Sequence, residues 1–237
     1  MAEQLNRLES LRQDFVANVS HELKTPVATI KGYVETLLDG TEHSPEDIDN
    51  FLRVILKQND RLAAIVDDLL TLSRLESAPA TQVIELAEHD VCDLLKSSAE
   101  ICQARADAKG IVISLNCDSS IPIRIDYSLM TQAMVNLLDN AIKYSYANTQ
   151  ITFSGAVKGD QIQIRVCDQG PGVPEEHIPR LFERFYRVDK SRSRRVGGTG
   201  LGLAIVKHII QVHEGEIEVL NNRGAGCCFI VSFPVAV

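Results

Sequence analysis

Apolar residues recur at steps of three and four from Leu8 through Leu11, Phe15, Val19, Leu23, Val27, Ile30 and Val34 to Leu37. That spacing is one face of a single amphipathic helix of ~35 residues. The helix is expected over residues 1–39, closed by Asp39-Gly40. Pro26 falls inside it, removes the hydrogen bond to the Glu22 carbonyl, and predicts a kink. Ser44-Pro45-Glu46-Asp47 restarts a helix, with Ser44 as N-cap, Pro45 at the first helical position and Asp47 completing a capping box. Ile48, Leu52, Ile55, Leu62, Ile65, Leu69 and Leu72 then repeat at heptad-like spacing to about residue 76. Two such helices form an antiparallel hairpin that cannot cover its own wide stripe. Pairing with a second copy into a four-helix bundle solves this, so a homodimer is expected.

At 237 residues the chain has room for a second domain. The pattern turns mixed after Ser77-Ala78-Pro79-Ala80-Thr81, which places domains at 1–76 and 82–237 with a linker at 77–81. Helical patterning over 87–109 ends at Gly110, and strands are expected at 111–117 and 123–126. A helix over 127–145, capped by Asp126, leads to strands at 149–157 and 161–168. A helix over 201–213 precedes closing strands at 216–220 and 227–234. Strands mixed with helices in this order read as a two-layer α/β sandwich.

Composition closes off several functions. No apolar run reaches the ~18 residues of a membrane span, and no secretory leader pattern opens the chain. A net charge of −8 argues against nucleic acid as a partner, since phosphate backbones need a basic face. No Cys-x-x-Cys pair is present, so a zinc site is not expected. Six free thiols would fit a reducing cytoplasm, with Cys227 and Cys228 on opposite faces of a strand.

His21 lies two residues from both Val19 and Leu23, roughly 200° around the helix from the stripe, so it faces solvent with Glu22 beside it. A histidine is mostly neutral at pH 7, and an adjacent carboxylate orients its tautomer. Asn136, Asn140 and Lys143 share one helical face, and amide oxygens with a lysine suit a Mg²⁺-triphosphate. Asp168-Gln169-Gly170-Pro171-Gly172 puts a carboxylate and glycines at a strand end, where a base amino group can be read. Gly197-Gly198-Thr199-Gly200-Leu201-Gly202-Leu203 precedes a helix, as a phosphate-cradling loop does. No Gly-Lys-Ser/Thr follows, so it is not a Walker loop. Between these motifs, residues 173–199 carry Lys190, Arg192, Arg194 and Arg195, a basic stretch suited to covering a triphosphate.

The stretch Phe15-Val16-Ala17-Asn18-Val19-Ser20-His21-Glu22-Leu23-Lys24-Thr25-Pro26 resembles the phosphoacceptor box of bacterial sensor histidine kinases. The asparagine, Asp168 and glycine motifs, with Phe182-Glu183-Arg184-Phe185-Tyr186-Arg187, resemble the N, G1, G2 and F boxes of the Bergerat (GHKL) ATP-binding fold. Gly32-Tyr33-Val34-Glu35-Thr36-Leu37-Leu38 is worded like the phosphate-regulon-type sensors. The resemblance implies that His21 attacks the γ-phosphate of ATP and Glu22 takes the proton from its other ring nitrogen. It further implies that Asn140 ligates Mg²⁺ with Asn136 close by, while Lys143 and Tyr144 contact the nucleotide. Asp168 would read adenine, with Gly170 and Gly172 shaping the pocket. Gly198, Thr199, Gly200, Leu201 and Gly202 would hold phosphates, and Arg187 would meet the γ-phosphate. Thr25, one turn past His21, would position water to hydrolyse a phospho-aspartate.

The implied partner is the receiver domain of a response regulator, docking on the hairpin below His21. The implied place is the cytoplasmic portion of an inner-membrane sensor, with no membrane contact in this chain. A chain acting mainly as a regulator phosphatase, and a catalytically silent ATP-binding dimeric scaffold, are the alternatives. An ATP-driven clamp of the Hsp90 kind would need its carboxylate where Asn136 stands. Asn222-Arg223-Gly224-Ala225-Gly226-Cys227-Cys228-Phe229 departs from the family by carrying cysteines where hydroxyl residues are usual, and reads as a structural motif.

Overall fold

The computed structural model describes residues 2–77, 84–117, 119–188, 198–221 and 226–235, with side chains from Phe15 onward. Helix α1 (Ala2–Leu38) continues through Pro26, which is buried. The threonine hydroxyls beside it bond back along the helix, Thr25 Oγ1 to His21 O at 3.1 Å and Thr29 Oγ1 to Thr25 O at 3.0 Å. Helix α2 (Pro45–Ser77) starts at its cap, where Ser44 Oγ accepts from Asp47 N at 3.1 Å and donates to Asp47 Oδ2 at 2.7 Å. The two helices pack as a hairpin, with the Tyr33 and Phe51 rings 5.3 Å apart near its turn.

The next segment departs from the expected helix over 87–109. Ala87–Asp90 is instead a strand, β1, paired antiparallel with β3 (Pro122–Ile125). Helix α3 (Val91–Asp107) begins only after Asp90, whose carboxylate accepts from Cys92 N at 2.6 Å and Asp93 N at 3.4 Å. Four residues carry too little pattern to reveal a strand whose partner lies more than 30 positions away.

The main sheet runs β2-β4-β5-β7-β6, built from β2 (Val112–Asn116), β4 (Gln150–Lys158), β5 (Gln161–Cys167), β6 (Glu216–Asn221) and β7 (Cys227–Pro234). β2 and β4 are parallel, and the other neighbours are antiparallel. Helices α3, α4 (Tyr127–Tyr144) and α5 (Gly202–Val212) pack together as the second layer. The core between layers gathers Phe153, Ile164, Met134, Leu138 and Ile205, all fully buried. Leu72 and Leu75 at the end of α2 join that same core. The hairpin is therefore seated on the sandwich, and this seat positions the site.

The cysteines do not stay free, contrary to the sequence-based expectation. Cys92–Cys117 ties the start of α3 to the end of β2, and Cys167–Cys228 ties β5 to β7 across a paired position. Partners 25 and 61 residues apart meet only through the tertiary fold, which spacing alone does not reveal. Cys102 and Cys227 remain thiols, both buried. Denaturation without reductant should therefore expose two alkylatable thiols, and reduction first should expose six. Intact-mass counting of added alkyl groups checks both numbers.

His213 closes α5 with both ring nitrogens engaged. Nε2 accepts from Asp126 N at 3.0 Å and Nδ1 lies 2.7 Å from Ile209 O, which defines the neutral Nδ1–H form. Burial lowers its pKa, partly opposed by the Ile209 carbonyl and Asp126. The unfolded chain thus takes the proton first, so this contribution is full above pH ~6.5 and is lost as pH falls toward the folded value. Urea midpoints measured from pH 7.5 to 5 should fall less steeply in His213→Gln than in the wild type.

Candidate nucleotide and phosphotransfer site

A cavity of about 350 Å³ lies between α4, the glycine loop before α5, the ends of β5 and β7, and the flank of α2. Its floor is Asp168, only 5% exposed at the end of β5. Asp168 Oδ1 accepts from Gly170 N at 2.8 Å and Cys227 N at 3.3 Å, while Oδ2 accepts from the Cys227 thiol at 2.9 Å. Asp168 N also donates to Cys227 O at 2.9 Å. This packing needs a glycine at 226, where φ is +91° and a Cβ would lie 2.1 Å from Asp168 O. Burial and the neighbouring Asp168 carboxylate push the Cys227 pKa up, so the sulfur keeps its proton and stays a donor. A buried carboxylate fixed this firmly is an acceptor suited to the amino group of a planar base.

The opposite end is lined by donors. Asn136, Asn140 and Lys143 of α4 line the cavity together, as their spacing predicts, and Tyr144 lines it beside them. Asn136 Nδ2 is buried without a partner among the described residues. Gly198, Thr199, Gly200 and Gly202 form the wall that opens α5, with Thr199 Oγ1 accepting from Leu201 N at 3.2 Å. Gly200 has φ +79°, and a Cβ there would come within 2.9 Å of Phe185 Cα. Leu201 is fully buried behind the wall. One orphaned amide donor, Asn136 Nδ2, together with a lysine, an arginine and a helix N-terminus, suits this end to an anion.

The hairpin supplies the roof. Ala64 and Asp68 of α2 line the cavity, and Asp68 Oδ2 accepts from Thr199 Oγ1 at 2.7 Å. Burial raises the Asp68 pKa, opposed by the Thr199 hydrogen bond and by Lys143. Arg187, with a side chain 7% exposed, donates to Gly198 O at 2.5 Å and to Glu22 Oε2 at 3.1 Å. Around this contact Phe185 packs on Phe15 with ring centroids 6.0 Å apart, and the Arg184 guanidinium stands 5.1 Å from the Phe15 ring centroid. Glu76 of α2 pairs with Arg184 and His208.

His21 is exposed, one residue from Glu22. No hydrogen bond links the Glu22 carboxylate to the His21 ring among the described residues. The base is turned inward and the nucleophile outward. Thr25 is likewise exposed. The basic residues expected to cover a triphosphate, Lys190, Arg192, Arg194 and Arg195, lie outside the described residues.

Comparison with known proteins follows the same two units. Residues 11–78 match the model of the His Kinase A (phospho-acceptor) domain, and residues 125–237 match the histidine kinase-, DNA gyrase B- and HSP90-like ATPase model. The sensor-like histidine kinase SenX3 of Mycolicibacterium smegmatis is 39% identical over 228 residues, covering 96% of this chain and 59% of that protein. The chain carries the two domains of a histidine kinase core. The sensor protein SrrB of Staphylococcus aureus is 34% identical over 229 residues, covering 97% of this chain and 39% of SrrB. This kinase core therefore spans little more than half the length of its SenX3 relatives. Among solved structures, the Acinetobacter baumannii histidine kinase AdeS superposes with a TM-score of 0.72 at 27% identity, over 92% of this chain and 98% of that one. Histidine kinase ThkA, solved in complex with the response regulator protein TrrA, shares the fold with a TM-score of 0.78 at 23% identity, over 98% of this chain and 64% of that one.

Two residues of the kinase site escaped the sequence reading. Cys227 belongs to a motif read as structural, yet its thiol donates to the Asp168 carboxylate on the cavity floor. Asp68 stands three residues after Ile65 and four before Leu72, both buried, so an acid inside the apolar stripe was the available signal. Asp68→Asn keeps an acceptor for Thr199 and removes a charge from the phosphate end. Its Kd for a fluorescent ATP analogue with Mg²⁺ should fall by about 3- to 10-fold, roughly 0.7–1.4 kcal/mol. An unchanged Kd would mean that Asp68 leaves the cavity before the nucleotide arrives.

Proposed function

We propose that this chain transfers the γ-phosphoryl group of Mg-ATP to its own His21, and from there to an aspartate in the receiver domain of a response regulator. The Glu22–Arg187 contact carries this reading, because it sets the phosphate end of the cavity beside the carboxylate next to an exposed histidine. In the transfer, the His21 Nε2 lone pair forms the N–P bond as the bond from γ-phosphorus to the bridging oxygen breaks. That electron pair leaves with ADP, and the Nδ1 proton passes to Glu22. Asp168 holds the base end, and Lys143, Arg187 and the glycine wall hold the phosphates. Asn140, through its amide oxygen, would hold Mg²⁺, which supplies charge neutralisation between the phosphates.

The units are proposed as a dimerisation and phosphoacceptor domain over 1–76 and an ATP-binding domain over 82–237. The homodimer is favoured by the uncovered apolar face of the hairpin, where Val16, Val27, Leu52 and Leu56 are each more than half exposed. None of the described helices is long and apolar enough to cross a membrane. We place the chain as the cytoplasmic portion of a membrane-anchored sensor. Thr25, on the exposed side one turn from His21, is the residue we assign to hydrolysis of the phospho-regulator.

Incubation with γ-³²P-ATP and Mg²⁺ tests the kinase. Acid-labile, base-stable label should appear on the wild type and be lost, by at least ~100-fold, in His21→Ala and in Asn140→Ala. A wild type that binds ATP without labelling, yet dephosphorylates a phospho-regulator through Thr25, would replace this reading with the phosphatase one.

A further inference from the structure

Glu22 is held by a second guanidinium that belongs to none of the nucleotide or histidine motifs. Arg61 of α2 donates from Nη2 to Glu22 Oε2 at 2.7 Å, closer than Arg187 to the same oxygen at 3.1 Å. The Arg61 and Glu22 side chains are 14% and 19% exposed, so the pair is largely withdrawn from water. Arg61 Nε is buried and has no hydrogen-bond partner among the described residues, which leaves Glu22 as the anchor of this side chain.

The two arginines are mounted differently. Arg187 rides on the ATP-binding domain and shares its Nη2 with Gly198 O. Arg61 is built into the hairpin, on the helix that packs against α1 at the level of His21. On turning to a γ-phosphate Arg187 would give up Glu22, whereas Arg61 stays beside it on the hairpin. In this structure the carboxylate is turned away from the His21 ring, and a carboxylate left alone on a helix samples several rotamers, of which only some meet that ring. Holding it by Oε2 confines it to the α2 side of the helix and leaves Oε1 as the free acceptor for the ring when the two are brought together.

We propose that Arg61 is a positioning residue for phosphotransfer, gripping Glu22 by one oxygen so that the other receives the imidazole proton of His21. The proposal rests on Glu22 as the proton acceptor. A purely structural salt bridge predicts something else. Removing one partner of a largely buried ion pair leaves the other charge unpaired and destabilises the fold, so a purely structural Arg61 would change melting behaviour and leave turnover alone.

The test uses the full dimeric chain with Arg61→Ala, Arg61→Lys, Glu22→Gln and the Arg61→Ala/Glu22→Gln double variant. Initial rates of His21 labelling are measured against Mg-ATP concentration. Arg61→Ala should lower the maximal rate by about 10- to 100-fold, within the range general-base effects span, with KM for ATP within about twofold of wild type. Arg61→Lys, which keeps a charged donor, should recover most of the rate. In the Glu22→Gln background, Arg61→Ala should cost less than about twofold more, because its target is already gone. Equal losses in both backgrounds, a loss carried by KM, or an undiminished rate would each overturn the proposal. Glu22→Gln retaining the wild-type rate would instead overturn the reading of Glu22 on which it rests. Should Arg61→Ala fail to give a folded dimer by circular dichroism, Arg61→Gln is read by the same criteria.

Discussion

The single oxygen Oε2 of Glu22, shared by Arg61 and Arg187, joins the two halves of this molecule at the place where its chemistry is expected. The rest of the seat repeats the theme: Asp68 takes the Thr199 hydroxyl, and Glu76 takes Arg184 and His208. In each of the first two pairs a hairpin carboxylate occupies a donor that a triphosphate would use. Polar contacts of this kind are exchangeable, since the water and phosphate that replace a carboxylate return much of what its loss costs. An interface sealed only by apolar packing would be slower to open. The apolar part is confined to the margin, at Phe15–Phe185 and where Leu72 and Leu75 enter the sandwich core. The seat thus combines apolar anchors with polar contacts at the cavity.

The floor of the cavity follows a different logic. Nothing there is exchangeable, because Asp168 has both oxygens occupied by backbone and thiol donors and is almost fully buried. A cysteine can stand here in place of a hydroxyl residue because burial and the adjacent carboxylate keep its proton on sulfur. The neighbouring Cys167–Cys228 bridge closes β5 onto β7 one residue along, on the other face of the sheet. The floor of the cavity is rigid where its roof is held by exchangeable polar contacts, which would suit a domain that keeps a ligand while changing its neighbours.

Much of this was legible before any coordinates. The hairpin, the α4 face carrying Asn136, Asn140 and Lys143, and the glycine wall are local patterns, written at helical spacing or in one short loop. What was not legible depends on distant parts of the chain. Ala87–Asp90 is a strand only because β3 is there to pair with it. The disulfides depend on which strand ends meet, and the role of Cys227 on Gly226 allowing the chain to pass against Asp168. Arg61 was unreadable for the same reason. An arginine on a long helix is ordinarily a solvated charge, and its partner stands 39 residues away across the hairpin.

Helix geometry sets the last constraint. Successive residues on an α-helix point ~100° apart, so His21 and Glu22 cannot face the same neighbour at once. Here Glu22 faces α2 and the ATP-binding domain, and His21 faces solvent. The arrangement therefore turns the base toward the cavity and leaves the nucleophile to solvent. Pro26 lies just over one turn further along. It leaves the Glu22 carbonyl without its helical donor, and it is itself buried, so a change in bend there would be felt by what packs on it. A signal arriving along α1 would thus act on the angle between base and nucleophile, while Arg61 keeps the base in hand.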